Sequence, residues 1–244
     1  MTRRASAMLL AAGRGQRMRP LTDHCPKPLL QMRGKPLLQW LLEALRRDGC
    51  RAVVLNTAWR GDQLSDHFGV EPGAPSLPDL AGLRISYSHE GRDFGQALGT
   101  AGGIARALPM LDQVFWVCAG DIFAPDFVFS AQTRTRFAAS DKLAHLWLVP
   151  NPPQHASGDF GLGSDGLVQS QAAVQYTYGG IGLYRAAFFA TLPSGNAQGL
   201  VAALAPMQRA AMDKHQVSGE LYHGAWTDVG SPERLAQLNL DSNQ

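Results

Sequence analysis

The chain has 244 residues, 22 Lys and Arg against 20 Asp and Glu, and a formal net charge of +2 at pH 7. That length buries a sizeable core as one large α/β domain or two small ones, and 45% apolar with 17% charged residues excludes a disordered chain. The near-neutral balance speaks against a nucleic-acid binder, and no apolar run approaches the ~18 residues of a membrane span.

Cys25, Cys50 and Cys118 are odd in number and widely spaced, which fits neither a disulfide framework nor a Cys-x-x-Cys metal site. Reduced thiols in a cytoplasmic protein are the expectation. Arg3-Arg4 and the apolar residues 5–12 have the outline of a secretory or twin-arginine leader. The apolar run is short, however, and Arg14, Arg17 and Arg19 follow at once, so no leader is expected.

Residues 5–12 read as a buried parallel strand. The strand runs into Gly13-Arg14-Gly15-Gln16-Arg17-Met18-Arg19-Pro20, then Pro26-Lys27-Pro28-Leu29. Gly13 and Gly15 allow positive φ and close approach of a ligand. Successive N–H groups in such a turn form an anion-binding concavity, and Arg14, Arg17 and Arg19 surround it with fixed positive charge. Lys27, between two prolines, adds a compact charge on a chain whose direction is largely preset. The chemistry is that of a triphosphate site. A solvated arginine rim on a common turn is the plainer alternative, and a Gly-x-Gly alone does not decide between them. The added Arg-Met-Arg-Pro and Pro-Lys-Pro-Leu favour the phosphate site. A dinucleotide-binding fingerprint needs a third glycine where this chain has Met18.

From Pro36, apolar residues at Leu37, Leu38, Leu41, Leu42 and Leu45 have helical spacing, with Arg46 and Arg47 in the last turn and Gly49 as stop. A second strand follows over residues 51–58, a short helix over 61–68, a Pro/Gly-rich surface loop over 71–82 and a third strand over 83–88. Gly99-Thr100-Ala101-Gly102-Gly103 opens a helix to about residue 111, and residues 114–119 form a fourth strand ending at Gly120-Asp121. Alternating strands and helices imply a parallel sheet with ligands at the carboxyl ends of its strands. The loops after residues 12, 88 and 119 then face one crevice. In the second half, residues 142–150 and 176–184 read as strands and 158–170 as a hairpin. Residues 199–215 read as a helix that Pro206 kinks, and 220–226 as a strand leading to Asp228. Ser231 caps a final helix.

Residues 9–29, Gly120-Asp121 and Trp226-Thr227-Asp228-Val229-Gly230 resemble the motifs of the sugar-phosphate nucleotidyltransferases, and the resemblance continues to residue 233. These enzymes join a nucleoside triphosphate to a sugar 1-phosphate and release pyrophosphate. The resemblance implies an α/β, three-layer Rossmann-like fold with a mixed, mainly parallel central sheet. It implies a single nucleotidyltransferase domain over residues 1–244, with a nucleotide-binding part over 1–125 and a sugar-phosphate-binding part over 126–244. The C-terminal hexapeptide β-helix of some relatives is absent, and no internal repeat is seen.

Displacement at the α-phosphorus by an already anionic oxygen needs no general base. The demand is electrostatic, and Mg²⁺ bridging phosphate oxygens meets it, taking carboxylates and water as ligands. Asp121 and Asp228 each follow an apolar strand. A helix cap or turn is the default role of a lone Asp, but the resemblance assigns both to the metal. It also assigns Arg17, Lys27 and Asp121 to catalysis, and Leu10, Ala11, Ala12, Gly13, Gly15, Arg17 and Lys27 to the nucleotide. Thr100 and Gly102 would pack against base and ribose, at a helix start that favours negative charge. On the sugar side it implies Asn151, Asp159, Gly180 and Glu220, although a solvated surface carboxylate reads Glu220 equally well. The seven histidines lack metal-ligand spacing, so no zinc site is expected.

Within the family, the short length and the segments LWLVPNPPQHASGDFGL and SGELYHGAWTDVGSPERL are most similar to the bacterial members of cell-wall (peptidoglycan) recycling. Those take UTP and N-acetylmuramic acid α-1-phosphate to the UDP-sugar and pyrophosphate. Mannose-1-phosphate guanylyltransferases share much of the pattern and are the alternative. Ala119 stands where relatives commonly have Asn, and Gly99 and Ala101 where Glu and Gly are common. The implied partners are a nucleoside triphosphate and a sugar 1-phosphate, with no nucleic acid and no membrane, for a cytoplasmic monomer or small homo-oligomer. A nucleotide-binding regulatory subunit is the non-enzymatic rival. Such a sensor can lose either aspartate, and this chain keeps both.

Overall fold

The computed structural model describes residues 4–69 and 77–240. Arg3 and residues 71–76 of the expected surface loop lie outside them. The first apolar run is strand β1 (Ala5–Leu10). A small hairpin of β2 (Gln31–Met32) and β3 (Lys35–Pro36) leads into helix α1 (Leu37–Arg47). Then come β4 (Ala52–Thr57), α2 (Gly61–Phe68), β5 (Arg84–His89), α3 (Glu90–Phe94), α4 (Gly99–Ala107) and β6 (Leu111–Ala119). The second half holds β7 (Ile122–Phe123), α5 (Ala131–Ala139), β8 (Ala144–Val149), the hairpin β9 (Gly161–Leu162) and β10 (Val168–Gln169), and β11 (Thr177–Arg185). It closes with α6 (Leu204–Met212), β12 (Val217–Leu221), β13 (Thr227–Asp228) and α7 (Pro232–Leu240).

Strands of both halves join one seven-stranded sheet in the order β12-β8-β11-β6-β1-β4-β5. β1 runs parallel to β4 and β6, β4 to β5, and β8 to β12. Only β11 runs antiparallel to its sheet neighbours, β6 and β8. The mixed, mainly parallel sheet is the one expected.

Period-two alternation splits the core between the two faces. Leu9, Val53, Leu55, Trp116 and Cys118 pack on one face with Leu38, Leu41, Leu42 and Leu45 of α1 and Phe137 of α5. Met8, Val54, Phe115 and Val117 pack on the other with Ile104 of α4 and Leu204, Ala211 and Met212 of α6. Burying each large apolar side chain contributes about 1.5–3 kcal/mol, so helices on both faces stabilise the central strands. This is the three-layer arrangement.

The second half departs from its expected boundaries. The helix expected over 199–215 starts only at Leu204, so Pro206 sits in its first turn and causes no kink. An N–H missing there is one that the helix leaves unbonded in any case. The strand expected over 220–226 lies earlier, at Val217–Leu221, where it extends β8 at the sheet edge. Helix α4 ends at Ala107 because Pro109, inside a 3-10 turn Leu108–Met110, cannot continue it. Ser231 does cap α7, its Oγ accepting the Arg234 N–H at 3.4 Å.

Candidate active site

The glycine turn leaves β1 on a path set by a few contacts. The Ala11 N–H donates to Asn56 Oδ1 at 2.8 Å, tying the turn to β4. Gly15, at φ 65°, starts the 3-10 turn Gln16–Met18 in the left-handed region that glycine tolerates best. Met18 is buried against Leu30, Met32 and Val229, which turns its neighbour Arg17 outward to the cavity. The other two arginines do not line this cavity. Arg14 stacks over Trp59, its guanidinium carbon 4.2 Å from the ring centroid, and Arg19 pairs with Asp23 at 2.6 Å. The positive charge read around the turn therefore reduces on this wall to Arg17 and Lys27.

A clasp holds the far side of the same loop. Three successive backbone carbonyls accept side-chain N–H groups from the chain after β4. Trp59 Nε1 donates to Thr22 O at 3.0 Å, Arg60 Nε to Asp23 O at 3.1 Å, and Gln63 Nε2 to His24 O at 3.1 Å. Thr22 Oγ1 in turn donates to Gly15 O at 2.8 Å.

Asp121 reaches the loop because β6 ends hard against β1. The Gly120 N–H donates to Leu10 O at 3.0 Å, and a Cβ on residue 120 would lie only 2.4 Å from that oxygen, so only glycine fits. Lys27, nearly buried, donates Nζ to Asp121 Oδ2 at 2.5 Å. Asp228 comes from the other half. β13 pairs with β7 so that Asp228 stands opposite Ile122, and the Val229 N–H donates to Asp121 O at 2.8 Å. Its Oδ1 accepts Gln154 Nε2–H at 2.9 Å and a short bond from the Arg234 guanidinium. The two aspartates thus sit on adjoining backbone, each paired with a cation.

Two cavities meet there. One, of about 520 Å³, is lined by residues 10–13, Gly15, Arg17, Lys27, Thr100 and Asp121. The other, of about 300 Å³, is lined by Asp228, Gly180, Thr177, Tyr178, Gln154, His155, Trp226 and Arg234. Arg17, Ala119 and Asp121 belong to both. Gly180 enters the second wall at a β-bulge between Tyr178 and Ile181, with φ 72°.

Four of the residues singled out from the sequence are not brought to either wall. Gly102 packs against the 200–202 segment, where a Cβ would meet Leu200 O at 2.5 Å. Ala202 O already accepts the Ala101 and Gly102 N–H groups, so the start of α4 has these donors committed rather than free for an anion. Asn151 stands behind Thr177, accepting its hydroxyl at 3.0 Å and donating to Ala156 O and Gln175 O. Asp159 lies off both walls and pairs with His155 at 3.0 Å. Glu220 is on the edge strand, accepting Trp147 Nε1–H at 2.7 Å and lying 3.9 Å from His145, whose imidazolium burial disfavours.

Sequence reasoning missed Asn56, Glu90, Gln154, His155, Trp226 and Arg234. Asn56 and Glu90 are buried polar residues that brace the wall of the larger cavity: Asn56 Nδ2 donates to Glu90 Oε1 at 2.7 Å, and Leu98 N–H to Glu90 Oε2 at 2.7 Å. Burial pushes the Glu90 carboxyl above the usual carboxylate range, and these two hydrogen bonds oppose the shift. Polar residues closing a strand that is otherwise apolar, as Asn56 and Thr57 close β4, are a signal that could have been used.

Residues 6–177 match the family described as nucleotidyl transferase, and the chain belongs to that family. It is 43% identical over 235 residues, 95% of each chain, to N-acetylmuramate alpha-1-phosphate uridylyltransferase of Neisseria meningitidis serogroup B. The protein of the same name from Caulobacter vibrioides is 29% identical, over 93% of this chain and 92% of its own. Mannose-1-phosphate guanylyltransferase catalytic subunit beta of Drosophila melanogaster is 39% identical, but over only 50% of this chain and 31% of its own. Among solved structures, UDP-glucose pyrophosphorylase complexed with UDP-glucose superposes with a TM-score of 0.76 at 16% identity, covering 99% of both chains. That likeness concerns the fold.

Proposed function

We propose that the chain joins UTP and N-acetylmuramic acid α-1-phosphate to give the UDP-sugar and pyrophosphate, in the cytoplasm and in service of peptidoglycan recycling. One observation carries the enzymatic reading: a large and a small cavity share Arg17 and Asp121, with Asp228 adjoining through backbone pairing. Two anions can therefore lie end to end, the triphosphate in the larger cavity and the sugar 1-phosphate in the smaller. The near-full-length match to the Neisseria relative supports the uridylyl and N-acetylmuramyl choice over the guanylyl alternative, which matches over half the chain.

The donors suit Mg²⁺. Among the described residues no group of three or more His, Cys, Asp or Glu side chains is arranged to hold a metal. The two aspartates, held on adjoining backbone, leave most of a coordination shell to water and phosphate oxygens, as Mg²⁺ prefers. Asp121 and Asp228 would hold it, and it would supply charge neutralisation across the reacting phosphates. The protein's own groups do the rest. Backbone of the 13–15 turn cradles the triphosphate, and Arg17, common to both cavities, spans the reacting phosphates. A sugar-phosphate oxygen attacks the α-phosphorus in line, the bond to the β-phosphate oxygen breaks, and pyrophosphate leaves. Lys27 and Arg234 pair with the two carboxylates, and Lys27, on the wall of the larger cavity, is placed to meet phosphate oxygens as well.

The test is pyrophosphate release with each nucleoside triphosphate against a panel of sugar 1-phosphates in Mg²⁺. Highest kcat/KM for UTP with N-acetylmuramic acid 1-phosphate is expected. A preference for GTP with mannose 1-phosphate would move the assignment to the alternative.

A further inference from the structure

The sugar-side cavity carries a side-chain pair that the reaction above leaves unused. His155 closes the 3-10 turn Pro153–His155 and lies on the cavity wall beside Gln154. Its Nε2 meets Asp159 Oδ1 at 3.0 Å. Asp159 is itself fixed, because its other oxygen accepts the Tyr178 N–H at 2.8 Å. A nitrogen facing a carboxylate carries the proton, so the ring is held by Nε2 and its Nδ1 is left over. Among the described residues Nδ1 has no hydrogen-bond partner, and the side chain is 39% exposed. This is a carboxylate–imidazole pair aimed from the second half into the sugar space.

The charges of that cavity limit what the pair can serve. Arg17 and Asp121 lie where the two cavities join, so the phosphates belong there. Arg234 is committed to Asp228. His155 lines the smaller cavity and not the larger, and among the described residues no carboxylate meets its Nδ1.

We propose that the Asp159–His155 pair reads an acidic substituent on the sugar, the imidazolium donating Nδ1–H to a carboxylate while Asp159 balances its charge. The inference rests on the sugar being N-acetylmuramic acid 1-phosphate, and it gives Asp159 a positioning role one layer behind the wall. His155 sets specificity and takes no part in phosphoryl transfer.

The experiment compares N-acetylmuramic acid 1-phosphate with N-acetylglucosamine 1-phosphate, which differ by the lactyl acid, with UTP as co-substrate. In His155→Gln, kcat/KM for the acidic sugar is expected to fall about tenfold to a hundredfold, mainly through KM, as for a lost charge-assisted hydrogen bond. The neutral sugar and the KM for UTP stay as in wild type. His155→Lys keeps part of the preference, and Asp159→Asn loses part of it with UTP binding unmoved. Equal losses on both sugars, or an unchanged preference in His155→Gln, overturn the proposal while the assigned activity stands. A wild-type enzyme that turns over the neutral sugar and not the acidic one overturns the functional reading, and this inference with it.

Discussion

The wall of the larger cavity is dominated by one stretch of chain, residues 10–13 and 15–18, which Lys27, the start of α4, the buried Asn56 and Glu90, and residues 119–121 complete. Beyond the residues at the junction, the smaller cavity is assembled from side chains spread between Gln154 and Arg234, on a 3-10 turn, a bulged strand, a two-residue strand and the first turn of a helix. The first wall offers mostly backbone and small residues, which suit a ligand part common to many substrates. The second offers distinct side chains, which suit the part that differs.

Variants at the seam should be the most damaging, because it belongs to both walls. Asp121→Asn and Asp228→Asn are each expected to lower kcat about a thousandfold with an unchanged circular dichroism spectrum. A variant that keeps full activity removes its aspartate from the centre. Lys27→Ala separates the walls: a drop of about a hundredfold in kcat/KM, carried by KM for UTP more than by KM for the sugar phosphate, in steady-state kinetics. Equal KM changes for both substrates would mean that Lys27 serves the seam as a whole.

Trp59→Ala opens the clasp on the far side of the phosphate loop and frees Arg14 from its ring. A rise of about fivefold in KM for UTP is expected, with the sugar KM unmoved: the cation–π contact and the hydrogen bond are worth about 1 kcal/mol each, and about half of their sum reaches the binding wall from the far side of the loop. The smallest effect belongs to Glu220→Gln, which leaves both KM values within about twofold because the carboxylate faces Trp147 and the sheet edge. Asn151→Ala should show as a lower thermal midpoint, from about 1–3 kcal/mol of lost loop hydrogen bonds.

The same contrast decides what could be read without coordinates. The glycine turn and Asp121 come just after β1 and β6, parallel neighbours whose carboxyl ends lie together, so local pattern was enough to bring them to one cavity. Lys27 lies 17 residues beyond β1 and Asp228 within the two-residue β13, and it is their motifs that pointed to them. The resemblance implied Asp159 and Glu220 on the sugar side, while the sequence read Glu220 equally well as a solvated surface carboxylate. Asp159 instead supports a histidine four residues earlier, and Glu220 lies on an edge strand whose start is earlier than its pattern suggests. Gly102 looked like a ligand-facing glycine, but its missing side chain admits the 200–202 segment, about a hundred residues away. Arg14 and Arg19 looked equivalent to Arg17. The burial of Met18, the Trp59 ring and Asp23 sorted them, and none of the three is visible as a spacing.

The most direct test of one metal–polyphosphate centre between the two cavities is anomalous scattering from crystals grown with Mn²⁺ and the UDP-sugar. The account predicts a metal bound by Asp121, Asp228 and a diphosphate oxygen, each within about 2.3 Å. A nucleotide-bound metal touching neither aspartate, or a diphosphate lying away from the 13–15 turn, would contradict it.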